Sequence, residues 1–231
     1  MEIGPGGGVL TSQLLDAGAR VWGVELDLEW AWELRRAMRG RDGAVGGASP
    51  RLQPIVMDAL ALAWERLPSP TLVAGNLPYN VATPIIAAVL PHWQRVPRAA
   101  FLLQKEVAER LTAKPGTRDY GSLTVLVRCY AEATILGRVR PGSFHPPPKV
   151  ESAFVGLRLR APPLPEAEMP AFLARVREAF GQKRKTLRNS LGRVIGGDRV
   201  EAALRALDLP PATRAEELPL HRWLALWPLV R

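Results

Sequence analysis

Residues 1–11 read MEIGPGGGVLT, and this glycine-rich stretch opens the pattern that decides the fold. A short helical pattern follows it, and residues 19–25 (ARVWGVE) then have the composition of a strand. Strand and helix patterns keep alternating as far as a strand at 99–103, which predicts a mostly parallel sheet covered by helices on both faces. We therefore predict an α/β fold with a Rossmann-like sheet, whose ligands bind at the carboxyl ends of the strands.

The second half of the chain has a different pattern. The run 123–139 (LTVLVRCYAEATILGRV) reads as strand-rich, and residues 153–159 supply a last strand, so we expect the sheet to end with two antiparallel strands adjacent in sequence. A proline-rich segment at 161–166 (APPLPE) predicts a stiff linker, and the pattern beyond it is helical. We therefore predict a sheet domain over 1–160 and a small all-helical domain over 161–231.

The charge of the chain points to a polyanionic partner. Its formal charge is +9 at pH 7, which suits nucleic acid or an anionic membrane surface. A predicted helix over 172–193 carries seven Lys and Arg residues against the one acid Glu178, and a face this one-sided favours contact with phosphates. The RNA-binding candidates are Lys183, Arg184, Lys185 and Arg188.

The composition also bears on the compartment. No apolar run reaches the roughly 18 residues that a membrane span needs. The single cysteine, Cys129, fits a reducing cytosol, so we expect a cytoplasmic protein that does not insert into membranes.

The order of the glycines limits the classes of ligand that the first loop could bind. A dinucleotide-binding loop would need a third glycine at position 9, where Val9 stands, and a Walker loop would need a lysine that is absent. Glu2 ahead of Gly4 and Gly6 instead suits a positively charged cofactor that lies close to the backbone. S-adenosylmethionine, with its amino group and sulfonium, meets both conditions, and a plain tight turn before a helix is the alternative.

Two acids end the next two predicted strands. Glu25 stands where such folds place a carboxylate that accepts hydrogen bonds from both ribose hydroxyls, and a solvated acid is the alternative. Asp58 could accept a hydrogen bond from the adenine amino group of the cofactor or could cap a helix.

The most specific stretch is Asn76-Leu77-Pro78-Tyr79, directly after the fourth predicted strand. An adenine N6 is a poor nucleophile because its lone pair is delocalised into the ring. Hydrogen bonds from both N–H groups, to the Asn76 side-chain oxygen and to a backbone carbonyl near Leu77 or Pro78, would favour a pyramidal nitrogen. Tyr79 can stack on the base, which must first leave its neighbours in the RNA.

The chain resembles the rRNA adenine N6,N6-dimethyltransferase family, in its bacterial small-subunit (KsgA/RsmA) type. The resemblance covers nearly the whole chain and rests on the order of the segments EIGPGGGVLT, VELD, MDAL, NLPYN, LQKEVAERL, YGSLTVLV, FHPPPKVES and FGQKRKTLRNSL. It implies dimethylation of two adjacent adenines near the 3′ end of 16S rRNA, with S-adenosylmethionine as cofactor, in the immature small ribosomal subunit. It also implies that 1–160 is the catalytic domain and 161–231 the RNA-binding domain.

The resemblance assigns roles to individual residues. By it, the cofactor loop contains Glu2, Gly4 and Gly6, the ribose and adenine contacts are Glu25 and Asp58, and the catalytic residues are Asn76, which also lies against the cofactor, Leu77, Pro78, Tyr79 and Phe144. Phe144 matches an aromatic residue that packs against the target base opposite Tyr79. The implied reaction is an in-line displacement without a metal, and we expect a monomer.

Two alternatives stay open at this point. A large-subunit adenine methyltransferase of the macrolide-resistance type shares the fold and cofactor, and an assembly factor could bind RNA without catalysis. Family members carry further residues upstream of the position of Met1, including a Gly-Gln-x-Phe-Leu segment and the first strand. We therefore expect a central strand to be lost here and S-adenosylmethionine to bind weakly.

Overall fold

A computed structural model describes residues 1–39, 51–144, 147–182 and 185–231. Its strands are β1 (Glu2–Ile3), β2 (Val21–Glu25), β3 (Leu52–Val56), β4 (Val73–Asn76), β5 (Arg98–Gln104), β6 (Ala131–Val139) and β7 (Ser152–Leu159). Its α-helices are α1 (Val9–Asp16), α2 (Leu28–Ala37), α3 (Ala82–Val89), α4 (Lys105–Thr112), α5 (Ser122–Tyr130), α6 (Met169–Phe180), α7 (Leu187–Ile195), α8 (Gly197–Ala206) and α9 (Leu220–Val230). None of the helices in these ranges is long and apolar enough to cross a membrane.

The strands form a seven-stranded sheet in the order β3-β2-β1-β4-β5-β7-β6. The pairs from β3 to β5 are parallel, and β7 is antiparallel to β5. The reversal of strand order on either side of β1 is the topology of a doubly wound sheet. The predicted α/β class is therefore confirmed, the sheet ends with the two strands β7 and β6 that are adjacent in sequence, and β7 is antiparallel to β5.

The centre of the sheet differs from the expectation of a lost strand. Residues Glu2–Ile3 form β1 and pair in parallel with β2 on one side and with β4 on the other. Gly75 makes this close pairing possible, because a Cβ at this position would lie 2.5 Å from the carbonyl oxygen of Ile3. The sheet is continuous at the point where the glycine loop leaves it.

The chain divides into two compact units. One contains Met1–Ala108 and Thr134–Arg160, and the other contains Glu109–Ala133 and Ala161–Arg231. The second unit thus includes a segment that the sequence places in the first domain. The reason is that α5 packs against α6 and α9, while Tyr120, just before α5, donates a hydrogen bond of 2.7 Å to the carbonyl oxygen of Leu218.

Two predicted elements are wrong. The run from residue 123 begins as helix α5 rather than as a strand. Most of its residues are buried, and a short apolar run of this kind is typical of a buried strand as well as of a buried helix. The basic helix over 172–193 is two helices, α6 and α7. Thr186 has an extended backbone and starts the second helix, since its hydroxyl accepts a hydrogen bond from the backbone N–H of Asn189.

Candidate active site

The glycine loop lies at the carboxyl end of β1 and turns sharply. Gly4, Gly6 and Gly8 have φ angles of 65°, 48° and 82°, which L-residues with a side chain adopt at a cost. The backbone N–H of Gly4 donates to the carbonyl oxygen of Val24 at 2.9 Å, which ties the loop to β2. A Cβ built on Gly6 meets no atom within 4 Å, so the backbone is open to a ligand at this position.

Gly8 has a different structural role from Gly6. A Cβ at position 8 would lie 2.7 Å from Cδ1 of Leu34 and 2.8 Å from Cε of Met38. Gly8 directly precedes α1, and both neighbours belong to the buried cluster beneath that helix. The third glycine of the pattern therefore serves the packing of α1 against α2.

Glu25, at the end of β2, organises the turn beside the loop. Its carboxylate accepts hydrogen bonds from the backbone N–H groups of Gly6 at 3.0 Å, Leu26 at 2.9 Å and Asp27 at 3.2 Å. A carboxylate has about four acceptor sites. Glu25 therefore keeps acceptor capacity for a ribose hydroxyl while it holds the loop in place.

Leu26 and Met57 are apolar residues that the sequence reasoning missed. They follow the ends of the paired strands β2 and β3 and are 71% and 36% exposed. The backbone N–H of Met57 donates to the carbonyl oxygen of Glu25 at 2.9 Å, which keeps the two strand ends together. The signal was present in the sequence, since each of the two residues is the immediate neighbour of a predicted acid.

Asp58 acts as a cap in this structure. Its Oδ1 accepts a hydrogen bond of 2.8 Å from the backbone N–H of Leu60, at the start of a short 3₁₀ turn. The side chain is exposed, and among the described residues its second oxygen accepts no hydrogen bond. Capping and a contact to an adenine amino group are therefore compatible.

Glu2 lies beneath the loop rather than on its surface. It is 1% exposed, and its Oε2 accepts a hydrogen bond of 2.6 Å from the hydroxyl of Thr11 on α1. Burial raises the pKa of Glu2 above its ordinary value of 4.5, against the opposing effect of the Thr11 hydroxyl. The carboxylate thus fastens the loop to α1 and supplies negative charge from below.

The loop Asn76-Leu77-Pro78-Tyr79 starts at the end of β4, and its carbonyls differ in availability. The Pro78 carbonyl oxygen accepts hydrogen bonds from the backbone N–H groups of Val81 and Ala82, both at 3.1 Å. These two bonds occupy both lone pairs. Leu77 is 1% exposed as a whole residue, and its buried side chain fixes the loop. Of the two carbonyls that the sequence left open, that of Pro78 is therefore already paired, whereas that of Leu77 accepts no hydrogen bond among the described residues.

The two loops lie side by side. A Cβ on Gly4 would lie 3.7 Å from the carbonyl oxygen of Asn76 and 3.9 Å from Cδ of Pro78. The side chain of Asn76 is exposed at this edge of the sheet. The candidate cofactor loop and the candidate base-binding loop therefore meet at the carboxyl ends of β1 and β4, where a doubly wound sheet binds its ligands.

The two candidate stacking residues form no ring contact with each other among the described residues. Tyr79 is 38% exposed, and Phe144 is partly buried after a short 3₁₀ turn. In the part of the chain that the structure describes, their rings form no pair like that of Phe172 and Trp227. Residues 145 and 146, which follow Phe144, lie outside the described residues.

The RNA-binding candidates belong to the second unit. Lys183 and Arg184 lie outside the described residues, and Lys185 is exposed. Arg188 forms an ion pair with Glu201. Beside α7 and the start of α8 is an open cleft of about 520 Å³, whose lining includes the cations Lys185, Arg188 and Arg193. Arg193 belongs to this cationic surface, although it was not among the RNA-binding candidates.

A doubly wound sheet with these two adjoining loops and an acid at the next strand end defines a Rossmann-like methyltransferase. Solved structures agree. A dimethyladenosine transferase from Plasmodium falciparum matches with a TM-score of 0.79 at 25% identity, covering 97% of this chain and 86% of that one. The 23S rRNA methyltransferase ErmE matches with a TM-score of 0.71 at 29% identity, covering 99% of this chain and 89% of that one.

The family model described as ribosomal RNA adenine dimethylase matches residues 1–229, and the chain belongs to this family. Ribosomal RNA small subunit methyltransferase A of Synechococcus sp. (strain JA-3-3Ab) is 40% identical over 98% of this chain and 79% of that protein. The protein of the same name from Pseudomonas aeruginosa is 40% identical over 98% of this chain and 81% of its own length. These relatives favour the small-subunit prediction over the large-subunit alternative.

Proposed function

We propose that the chain transfers methyl groups from S-adenosylmethionine to the exocyclic amines of two adjacent adenines near the 3′ end of 16S rRNA. The observation that carries this proposal is the position of the Asn76 loop, 3.7 Å from the site of a Cβ on Gly4. A base held by the one loop would face a cofactor held by the other. The small-subunit relatives support the choice of RNA.

The residues of the first loop fit S-adenosylmethionine. The open backbone at Gly6 allows close approach, Glu25 keeps acceptor capacity for ribose, and the exposed Leu26 and Met57 offer apolar surface for an adenine ring. Glu2 contributes a carboxylate below the loop, which suits a positively charged group. The cofactor supplies an activated methyl group and a neutral leaving sulfide.

Two acceptors prepare the target amine. The Asn76 side-chain oxygen and the Leu77 carbonyl oxygen accept hydrogen bonds from the two N6–H groups. Leu77 is chosen over Pro78 because the Pro78 carbonyl already accepts two hydrogen bonds. Both hydrogen bonds would favour a pyramidal N6 with a localised lone pair. With S-adenosylmethionine bound, attack of this lone pair on the methyl group would form the N–C bond as the C–S bond breaks, and the proton that N6 loses would pass to solvent. Positioning and fixed dipoles provide most of the rate.

The base reaches this site only after it leaves its stack in the RNA. Tyr79 and Phe144 replace the lost stacking on the two faces of the base. The cationic surface beside α7, with Lys185, Arg188 and Arg193, binds phosphates of the immature small subunit. The chain acts there as a monomer in the cytoplasm.

Methyl transfer to unmethylated small subunits tests the proposal. We expect labelled methyl from S-adenosylmethionine to enter small-subunit RNA and not large-subunit RNA. Asn76→Ala should abolish transfer, whereas Asn80→Ala, at another exposed asparagine four residues further along, should retain it. Label in large-subunit RNA would favour the macrolide-resistance type, and RNA binding without transfer would favour an assembly factor.

A further inference from the structure

The start of β7 carries a buried hydroxyl that reaches the base-binding loop. Ser152, the first residue of β7, is 1% exposed. Its Oγ lies 3.2 Å from the phenolic oxygen of Tyr79, and the two hydroxyls are hydrogen-bonded. These residues are 73 positions apart in the chain, so the bond is a tertiary contact.

The strand that holds Ser152 is firmly placed. Ser152 pairs with Gln104 in the antiparallel ladder between β5 and β7. Next to this pair, the backbone N–H of Lys105 donates to the carbonyl oxygen of Glu151 at 2.9 Å, and the Lys105 ammonium lies 2.7 Å from the Glu151 carboxylate. Ser152 is therefore held in place by its strand, whereas Tyr79 lies on a loop and is 38% exposed.

A loop tyrosine that serves as a stacking platform needs a restraint on its ring. The torsion about its Cβ–Cγ bond has a broad distribution and sets the plane of the ring. The phenolic oxygen lies on the axis of that torsion, so a hydrogen bond to it fixes the far end of the ring. Because the phenolic O–H prefers to lie in the ring plane, the bond also favours the plane that contains the Ser152 Oγ, and it covers neither face. The buried Ser152 hydroxyl gains a partner in the same bond, and a buried hydroxyl without one would be costly.

We infer that Ser152 is a positioning residue for methyl transfer, which holds the plane of the Tyr79 ring through their paired hydroxyls. This inference rests on the proposed function, because the ring it positions is the platform for the target adenine. It assigns the Tyr79 hydroxyl to anchoring rather than to proton transfer. The platform function then belongs to the ring, and the anchor belongs to the hydroxyl pair.

A double-mutant cycle tests this pairing. Ser152→Ala and Tyr79→Phe each remove the same hydrogen bond and keep the stacking ring. Each should lower kcat by about three- to tenfold, which corresponds to one hydrogen bond. KM for small subunits should change little, because phosphate contacts in the other unit set it. The double variant should be no slower than the slower single variant.

Fluorine NMR reports on the environment of the Tyr79 ring and does not depend on activity. The chain has three tyrosines, so 3-fluorotyrosine labelling gives three signals, and Tyr79→Phe identifies the relevant one. Ser152→Ala should shift or broaden the Tyr79 signal and leave the other two unchanged. The matched control is Thr71→Val, which removes another buried hydroxyl of the same unit, bonded to the carbonyl oxygen of Pro68.

The possible outcomes separate this inference from the proposed function. If the unaltered chain transfers no methyl group to small subunits, the proposed function fails, and the positioning role fails with it even if the fluorine signal shifts. If transfer occurs, losses that multiply in the double variant would overturn the positioning role. An unchanged Tyr79 signal in Ser152→Ala, or an equal shift in Thr71→Val, would also overturn it.

Discussion

Alanine at position 8 should destabilise the chain far more than alanine at position 6, although both glycines have positive φ. A Cβ added to Gly8 would lie 2.7 Å from a methyl group of Leu34 and 2.8 Å from that of Met38. At Gly6 a Cβ meets nothing within 4 Å. The two substitutions therefore share the backbone strain but differ in packing.

The magnitudes follow from these two terms. The left-handed conformation costs an alanine about 1–2 kcal/mol, and the lower entropy of the unfolded chain offsets about 0.4–1 kcal/mol of this. Overpacking of a core adds about 1–3 kcal/mol. Gly6→Ala should thus lower the free energy of unfolding by about 1 kcal/mol and Gly8→Ala by about 2–4 kcal/mol.

Urea unfolding measures the difference in stability, and calorimetric titration measures the affinity of each variant for S-adenosylmethionine. Gly6→Ala places a methyl group where we propose that the cofactor lies, so it should weaken binding at least about tenfold, the effect of one clash of about 1.4 kcal/mol. Gly8→Ala should bind the cofactor like the unaltered chain while it remains folded. Equal losses of stability, or unchanged binding by Gly6→Ala, would refute this division of roles.

Three further predictions concern charge and catalysis. Burial raises the pKa of Glu2, so the folded chain binds this proton more tightly than the unfolded chain does. The free energy of unfolding should therefore fall as pH rises above 4.5. Glu2→Gln should reduce that fall, as measured by urea unfolding at several pH values. Replacing Lys183, Arg184 and Lys185 with alanine should flatten the salt dependence of RNA binding by about two units of slope, and an unchanged slope would contradict their phosphate contacts. Asn76→Ala should lower kcat by at least about 100-fold, the usual cost of one transition-state hydrogen bond, and a near-normal kcat would exclude its role.

The parts of the site that were predictable from sequence are local. The glycine order, the acid after β2 and the Asn76 loop each lie in a few consecutive residues at a strand end, and the structure places them at one edge of the sheet. Their types are dictated by backbone conformation and by hydrogen-bonding chemistry. Their roles toward a cofactor and a base stay predictions that the experiments above can test.

The features that the sequence did not predict depend on tertiary structure. Helix α5 was read as a strand because most of its residues are buried, so its nearly continuous apolar run is also typical of a buried strand. The bond between Ser152 and Tyr79 joins residues 73 positions apart, and no local pattern indicates it. Occupation of the Pro78 carbonyl likewise arises only when α3 has begun.

The most direct test of the central claim is mass spectrometry of nucleosides from small-subunit RNA after incubation with the chain and S-adenosylmethionine. The account predicts N6,N6-dimethyladenosine at two adjacent adenines near the 3′ end when the unaltered chain is used, and none with Asn76→Ala. Methylation at another atom of adenine, or dimethyladenosine formed equally by Asn76→Ala, would contradict it.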